Sequence, residues 1–178
     1  MKVIAINGSP KAEGNTYHAI KLVADEMAKD GIETEIIHVG NKVFRGCMAC
    51  GGCAKNRDEK CVFDDGINEI IQKMKEADGI ILGSPVHYSA IGGTMKSFLD
   101  RTFYVAGVNG GLFRHKVGAS VVAVRRSGGL PTFNQLNNKL LVVDFFGTWC
   151  IPCIRALPKL SALQEKYKGQ WVLKGAGS

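Results

Sequence analysis

Lys2-Val3-Ile4-Ala5-Ile6-Asn7-Gly8-Ser9-Pro10-Lys11-Ala12-Glu13-Gly14-Asn15-Thr16 is the stretch that decides the fold. Val3 to Ile6 is a short apolar run, Asn7-Gly8-Ser9-Pro10 is turn chemistry, and Thr16 to Ala28 repeats apolar residues at helical spacing. Strand, loop and helix follow one another at once. Where such a loop meets a helix start, free backbone N–H groups and the helix dipole favour an anion, and the hydroxyls of Ser9 and Thr16 add donors. The loop lacks the Gly-Lys-Ser/Thr ending of a Walker sequence and the G-x-G-x-x-G of a dinucleotide fold.

The same alternation continues outward. Thr34 to Val39 is a second β-type run, Ile67 to Lys75 carries Ile67, Ile70, Ile71 and Met74 at helical spacing, and Gly79 to Gly83 is an apolar run with no polar face. Ser84-Pro85-Val86-His87-Tyr88 then leads into a helix over Gly92 to Phe103, and Val117 to Val124 is the next strand, ending at Arg125-Arg126-Ser127-Gly128-Gly129. Strands without alternation suit a parallel sheet covered on both faces, joined by right-handed crossovers. In such sheets ligands sit beyond the carboxyl ends of the strands, where strand order reverses. The glycine- and serine-rich loops after the first, third and fourth strands lie there.

The 178 residues fit one domain, with 46% apolar residues and a net charge of +7. The basic residues are dispersed, with no run longer than Arg125-Arg126 and no interleaved aromatics, which excludes a nucleic-acid footprint; an anionic small molecule accounts for the charge. The amino terminus lacks the apolar stretch of a signal peptide or a membrane span, so the expected setting is cytoplasmic, with no membrane partner. Six cysteines in two tight groups then favour metal, cluster or redox use over a disulfide framework.

Three ordered motifs carry a resemblance: Gly8-Ser9-Pro10 with Gly14-Asn15-Thr16, then Gly83-Ser84-Pro85-Val86-His87-Tyr88, then Lys96-Ser97-Phe98-Leu99-Asp100-Arg101. Over residues 1 to about 138 the chain resembles the NADPH-dependent FMN reductases and the iron-sulfur flavoproteins, which are flavodoxin-like. The resemblance implies an FMN phosphate site at Ser9, Pro10, Lys11, Gly14, Asn15 and Thr16. It implies a flavin-ring site at Pro85, His87, Tyr88 and Ser89 and at the Ser127-Gly128-Gly129 turn. NAD(P)H as reductant, a small-molecule or protein electron acceptor, and a homodimer are further implications. Asp100-Arg101 is expected to be a helix-end or subunit-interface ion pair.

Cys47-x2-Cys50-x2-Cys53-x7-Cys61 lies in a stretch, Asn41 to Cys61, with neither helical nor strand period. Two consecutive x2 spacings can turn three thiolates toward one cubane face, with the fourth from beyond. Tetrahedral zinc, or free or partly oxidised thiols, also suit four such cysteines. The resemblance to iron-sulfur flavoproteins implies a [4Fe-4S] cluster exchanging electrons with FMN.

From Lys139 the character of the sequence changes. Leu140-Leu141-Val142-Val143-Asp144-Phe145-Phe146-Gly147-Thr148-Trp149-Cys150-Ile151-Pro152-Cys153 resembles thioredoxin-like thiol-disulfide oxidoreductases, with Asp144 ahead of the first cysteine, Trp149 beside it and Pro158 beyond the second. In that family Cys150, its thiol acidified by a helix start, would attack and Cys153 would resolve. Residues 139–178 hold only part of that fold, and a partial fold cannot bury its own sheet. The expectation is therefore one hybrid domain over residues 1–178, made by recombination, in which a strand (Leu140 to Phe146) and a helix (Pro152 to Tyr167) complete a three-layer α/β sandwich with a five-stranded parallel sheet of order 2-1-3-4-5. The dithiol is then either active or an idle inheritance. The competing functions are an FMN oxidoreductase or electron carrier, a thiol-disulfide oxidoreductase through Cys150 and Cys153, and a hybrid that binds FMN without turnover.

Overall fold

A computed structural model describes residues 1–140 of the chain. In chain order these form β1 (Lys2–Asn7), α1 (Asn15–Ala28), β2 (Glu33–His38), α2 (Gly52–Asn56), α3 (Ile67–Glu76), β3 (Gly79–Pro85), α4 (Gly93–Val108), β4 (Val117–Ala123) and α5 (Gly129–Leu140). The described strands pair in parallel in the order β2-β1-β3-β4. That is the flavodoxin-like order as far as its fourth strand. The expected fifth strand and its helix, together with Cys150 and Cys153, lie outside the described residues, apart from Leu140. Leu140 closes α5 instead of opening a strand.

The side-chain period of two divides the core between the two faces of the sheet. Val3, Ala5 and Ile81 face α1, where Ile20 packs on them. Ile4, Ile6, Ile80 and Leu82 face the other way, onto Ile71 and Met74 of α3, Met95, Phe98 and Leu99 of α4, and Leu136 of α5. Each such fully buried side chain contributes about 1.5–3 kcal/mol of transfer free energy. The absence of a polar face along β1 and β3 is what lets helices cover both sides.

The elements expected from periodicity are present with shifted ends. α4 runs on to Val108, past the expected stop at Phe103, because Val105 and Ala106 keep the buried face going until Asn109 and Gly110 (φ 86°) end it. Two helices carry no expectation: the short α2 inside the cysteine stretch, and α5, whose start is masked by Gly128-Gly129 and Pro131. At the foot of α5, Thr132 hydrogen-bonds the Gly128 carbonyl through both its Oγ1 (2.8 Å) and its amide (3.2 Å). Among the described residues no helix is long and apolar enough to cross a membrane.

Candidate functional site

The registers Asn7 with His38 and with Gly83, and Pro85 with Ala123, bring the carboxyl ends of all four strands to one edge. An open cleft of about 950 Å³ occupies that edge. The loop between β1 and α1 forms one wall through Ser9, Lys11, Gly14, Asn15 and Thr16, and the ends of β3 and β4 form the other through Pro85, Val86 and Ala123 to Arg125. A second hollow of about 360 Å³ shares Val86 and Arg125 and adds Tyr88, Ser89, Arg126 and Ser127. Both volumes are in the range of small-molecule and cofactor sites.

Of the residues expected at the phosphate, Ser9, Lys11, Gly14, Asn15 and Thr16 line the cleft and Pro10 does not, and two others that the sequence did not single out hold the loop from behind. Asn7, fully buried at the end of β1, accepts the Ser9 amide on Oδ1 (3.1 Å) and donates Nδ2 to the Ala12 carbonyl (2.9 Å). His38, at the end of β2, hydrogen-bonds the Ser9 carbonyl through Nε2 (2.7 Å), and because that oxygen can only accept, Nε2 carries the proton. Gly40 follows so closely that a Cβ there would lie 2.1 Å from the Ser9 carbonyl oxygen, so only glycine fits. The signal for Asn7 was in the sequence: an Asn immediately before Gly-Ser at a strand end makes an Asx turn.

At the mouth of α1 the electrostatics favour an anion. The N-cap is Gly14 with no side-chain cap, and the first turn contains no acidic residue. Lys11 and Arg125 add positive charge, with Glu13 the one acid on this wall. The Oγ1 of Thr16 is buried and has no hydrogen-bond partner. A buried hydroxyl left without a partner is costly, so its presence here fits a ligand oxygen.

The flavin-ring residues divide. Pro85, Tyr88, Ser89 and Ser127 line the cleft or the adjoining hollow, whereas His87, Gly128 and Gly129 line neither. His87 instead builds the turn: its backbone exchanges hydrogen bonds with Ala90 (2.8 and 3.0 Å) around Tyr88 and Ser89, both in the left-handed region at φ 46° and 63°. Such conformations cost about 1–3 kcal/mol each and cluster at ligand clamps. Gly128, at φ 82°, comes so near that a Cβ would lie 2.6 Å from the Ser89 Cα, so the loops after β3 and β4 touch. Tyr88 is wholly exposed at the mouth.

The four amino-terminal cysteines surround a separate recess over α4. Cys47, Cys50, Cys53 and Cys61 all line it, with Val62, Phe63 and Arg101. Cys47 and Cys50 are exposed, Cys61 is half-buried, and Cys53 is buried, which pushes its thiol above the ordinary value of 9.0. Asn68 clamps the Cys61 backbone in both directions (2.8 and 3.0 Å). As placed, no three His, Cys, Asp or Glu side chains among the described residues stand close enough to hold a metal ion. The donor set still suits a thiolate-bound centre by its chemistry: four cysteines line one recess, beside a buried guanidinium whose Nε lacks a partner.

Asp100 and Arg101 do not form the expected pair. They lie in the middle of α4, where Asp100 meets Lys96 and Lys139 while Arg101 turns inward to Asp65. Successive residues on a helix point about 100° apart, so they cannot share one partner.

The chain is 41% identical over 144 residues to an iron-sulfur flavoprotein of Methanocaldococcus jannaschii, covering 80% of this chain and 72% of that protein. It is 39% identical over 132 residues to an iron-sulfur flavoprotein of Methanosarcina thermophila, covering 72% of this chain and 66% of that one. An iron-sulfur flavoprotein of Archaeoglobus fulgidus is 36% identical over 130 residues, 72% of this chain; the chain spans 62% of its length. Among solved structures, an NAD(P)H:quinone oxidoreductase from Methanothermobacter marburgensis is similar with a TM-score of 0.63 at 10% identity, over 98% of this chain and 99% of that one. At such identity the likeness is one of fold. The family described as NADPH-dependent FMN reductase matches residues 1–159, across the junction expected at Lys139. By that match and by the archaeal relatives, the chain belongs to the NADPH-dependent FMN reductase family.

Proposed function

We propose that this chain binds FMN in the cleft at the carboxyl edge of the sheet and works as an NAD(P)H-dependent oxidoreductase or electron carrier. The observation that carries the reading is the buried, unpartnered Thr16 hydroxyl beside an uncapped helix start free of acidic residues. Ser9, Lys11, Gly14, Asn15 and Thr16 would hold the phosphate by amides, hydroxyls and charge. Pro85 and Val86 supply an apolar wall for the ring, and the Tyr88-Ser89 and Ser127-Gly128 turns bring backbone donors to its edge. Bound FMN would supply hydride acceptance from NAD(P)H and electron delivery to an acceptor, while the protein orients the ring and keeps water from it. Acceptors within this reading are a quinone, free flavin, iron or a protein. A homodimer belongs to the same reading and rests on the family resemblance.

The purified protein is expected to be yellow, with near-equimolar FMN, and to oxidise NAD(P)H when a quinone or ferricyanide is added. A colourless protein that takes up no added FMN sinks the reading. FMN retention without NAD(P)H oxidation would leave a binding protein in place of an enzyme.

The cysteine recess extends the reading: Cys47, Cys50, Cys53 and Cys61 would hold a [4Fe-4S] cluster, a reading supported by archaeal relatives that are named iron-sulfur flavoproteins. Such a cluster supplies one-electron transfer. Iron and acid-labile sulfide in anaerobically purified protein are the expected result, and their absence removes this part. A dithiol activity at Cys150-Ile151-Pro152-Cys153, within a hybrid carboxyl-terminal segment, rests on the sequence alone. Insulin reduction abolished by Cys150→Ser would support it; no insulin reduction by the parent chain dismisses it.

A further inference from the structure

Arg101 is the one large charged side chain among the described residues that is almost wholly removed from water, at 1% exposure. From the middle of α4 it reaches the segment between Cys61 and Asp65. Its Nη1 meets Asp65 Oδ2 at 2.5 Å and the Arg45 carbonyl at 3.4 Å; its Nη2 donates to the Phe63 carbonyl at 2.7 Å and to Cys61 Sγ at 3.3 Å. Nε has no partner, although Arg101 lines the recess that the four cysteines also line.

Holding a loop would need only the carboxylate and the carbonyls. A buried cation that also donates to a cysteine sulfur, and keeps one donor unspent in a sulfur-lined recess, is suited to stabilising negative charge on sulfur. Hydrogen bonds to the sulfurs, net charge and solvent exposure are what set the potential of a thiolate-held cluster. An added electron raises the charge on those sulfurs, so a donor at Cys61 favours the reduced state.

We propose that Arg101 is the residue that raises the reduction potential of the cysteine-held cluster, through its hydrogen bond to the Cys61 sulfur. The inference rests on the cluster reading above. Arg101 is a positioning residue, acting on the centre through Cys61. Its partner Asp65 opposes it, because the carboxylate next to the guanidinium offsets part of the positive charge that faces the sulfur.

The test uses the anaerobically purified, FMN-loaded full chain and reads iron, acid-labile sulfide, FMN content and the cluster midpoint potential by EPR-monitored titration. Arg101→Lys keeps the charge but cannot reach Asp65, Phe63 and Cys61 at once. It is expected to keep iron and FMN and to shift the reduction equilibrium about tenfold toward the oxidised form, about 59 mV lower for one electron. Asp65→Asn is expected to move the potential upward. A role limited to holding the loop would move both variants the same way or neither. An Arg101→Lys protein with full iron and the parental potential overturns the inference while leaving the cluster reading intact; a parent protein free of iron and sulfide overturns the cluster reading itself. If Arg101→Lys loses its iron, Asp65→Asn decides, and an unchanged or lowered potential there overturns the inference.

Discussion

Replacing Thr16 by valine is expected to move the stability of the FMN-free protein and its affinity for FMN in opposite directions. Valine has nearly the shape of threonine and removes only the hydroxyl, which is buried and unpartnered in the described structure. An unsatisfied buried polar group costs about 1–3 kcal/mol, so its loss stabilises the FMN-free form, and 1 kcal/mol raises Tm by about 2–4 °C at this chain length. A hydrogen bond to a charged phosphate is worth about 1.5–3 kcal/mol, so FMN affinity falls about 10- to 150-fold. With FMN at a hundred times the parental Kd, ligand stabilises the parent by about 2.7 kcal/mol; a thirtyfold weaker variant gains only about 0.9 kcal/mol. The ligand-induced rise in Tm should therefore shrink to roughly a third. Riboflavin, which lacks the phosphate, should bind both proteins alike. Thermal unfolding with and without FMN, together with fluorescence titrations of FMN and riboflavin, measures all of this. A Thr16→Val protein that is less stable without ligand and binds FMN as tightly as the parent would refute the assignment of this loop to the phosphate.

His38→Leu should weaken FMN about tenfold and leave riboflavin unchanged, since leucine leaves the Ser9 carbonyl without its Nε2 donor; equal losses for both ligands would show a general disturbance of the edge. Gly128→Ala should destabilise the fold by about 1–3 kcal/mol and weaken FMN and riboflavin together, because φ 82° and the Ser89 Cα both reject a Cβ, and parental Tm with parental binding would contradict it. Glu35 sits between Lys73 (2.8 Å) and Lys2 (3.1 Å), and the hydrogen bond from Lys73 holds its carboxyl below the ordinary value of 4.5. Its folded-state pKa is depressed, so its contribution to stability is complete above the unfolded value and is lost as pH falls through the folded one. Tm measured from pH 7 to pH 3 should thus fall more steeply for the parent than for Glu35→Gln, and parallel curves would remove Glu35 from the acid limb.

Local pattern was enough wherever one segment decides its own state. The apolar runs of β1 and β3, the spacing of Ile67, Ile70, Ile71 and Met74, and the strand-loop-helix at Gly8 to Thr16 are all short-range signals. What the sequence concealed is whatever depends on strands lying side by side. His38 reaches Ser9 only because its register places it opposite Asn7. Val86, Val124 and Arg125 enter the cleft only because β3 and β4 end at the same edge. Arg101 shows the limit most sharply: its neighbour Asp100 suggested a surface pair, and nothing local announced partners at Asp65, Phe63 and Cys61, 36 to 40 residues away. The same distance explains why that side chain matters. The cysteine stretch has few regular elements of its own, so it leans on its neighbours, and α4 is one of them: Arg101 donates to Cys61 Sγ, and Tyr104 and Val105 line the same recess. That helix begins beside the loop after β3, where Ser84 Oγ accepts the Gly92 amide (3.3 Å), and reaches Arg101 eight residues after Gly93, about 12 Å along its axis. One helix thus fixes both the turn after β3 and the guanidinium at the cysteine recess, so exchanges at Arg101 should be felt at the cysteines well before they are felt at Thr16.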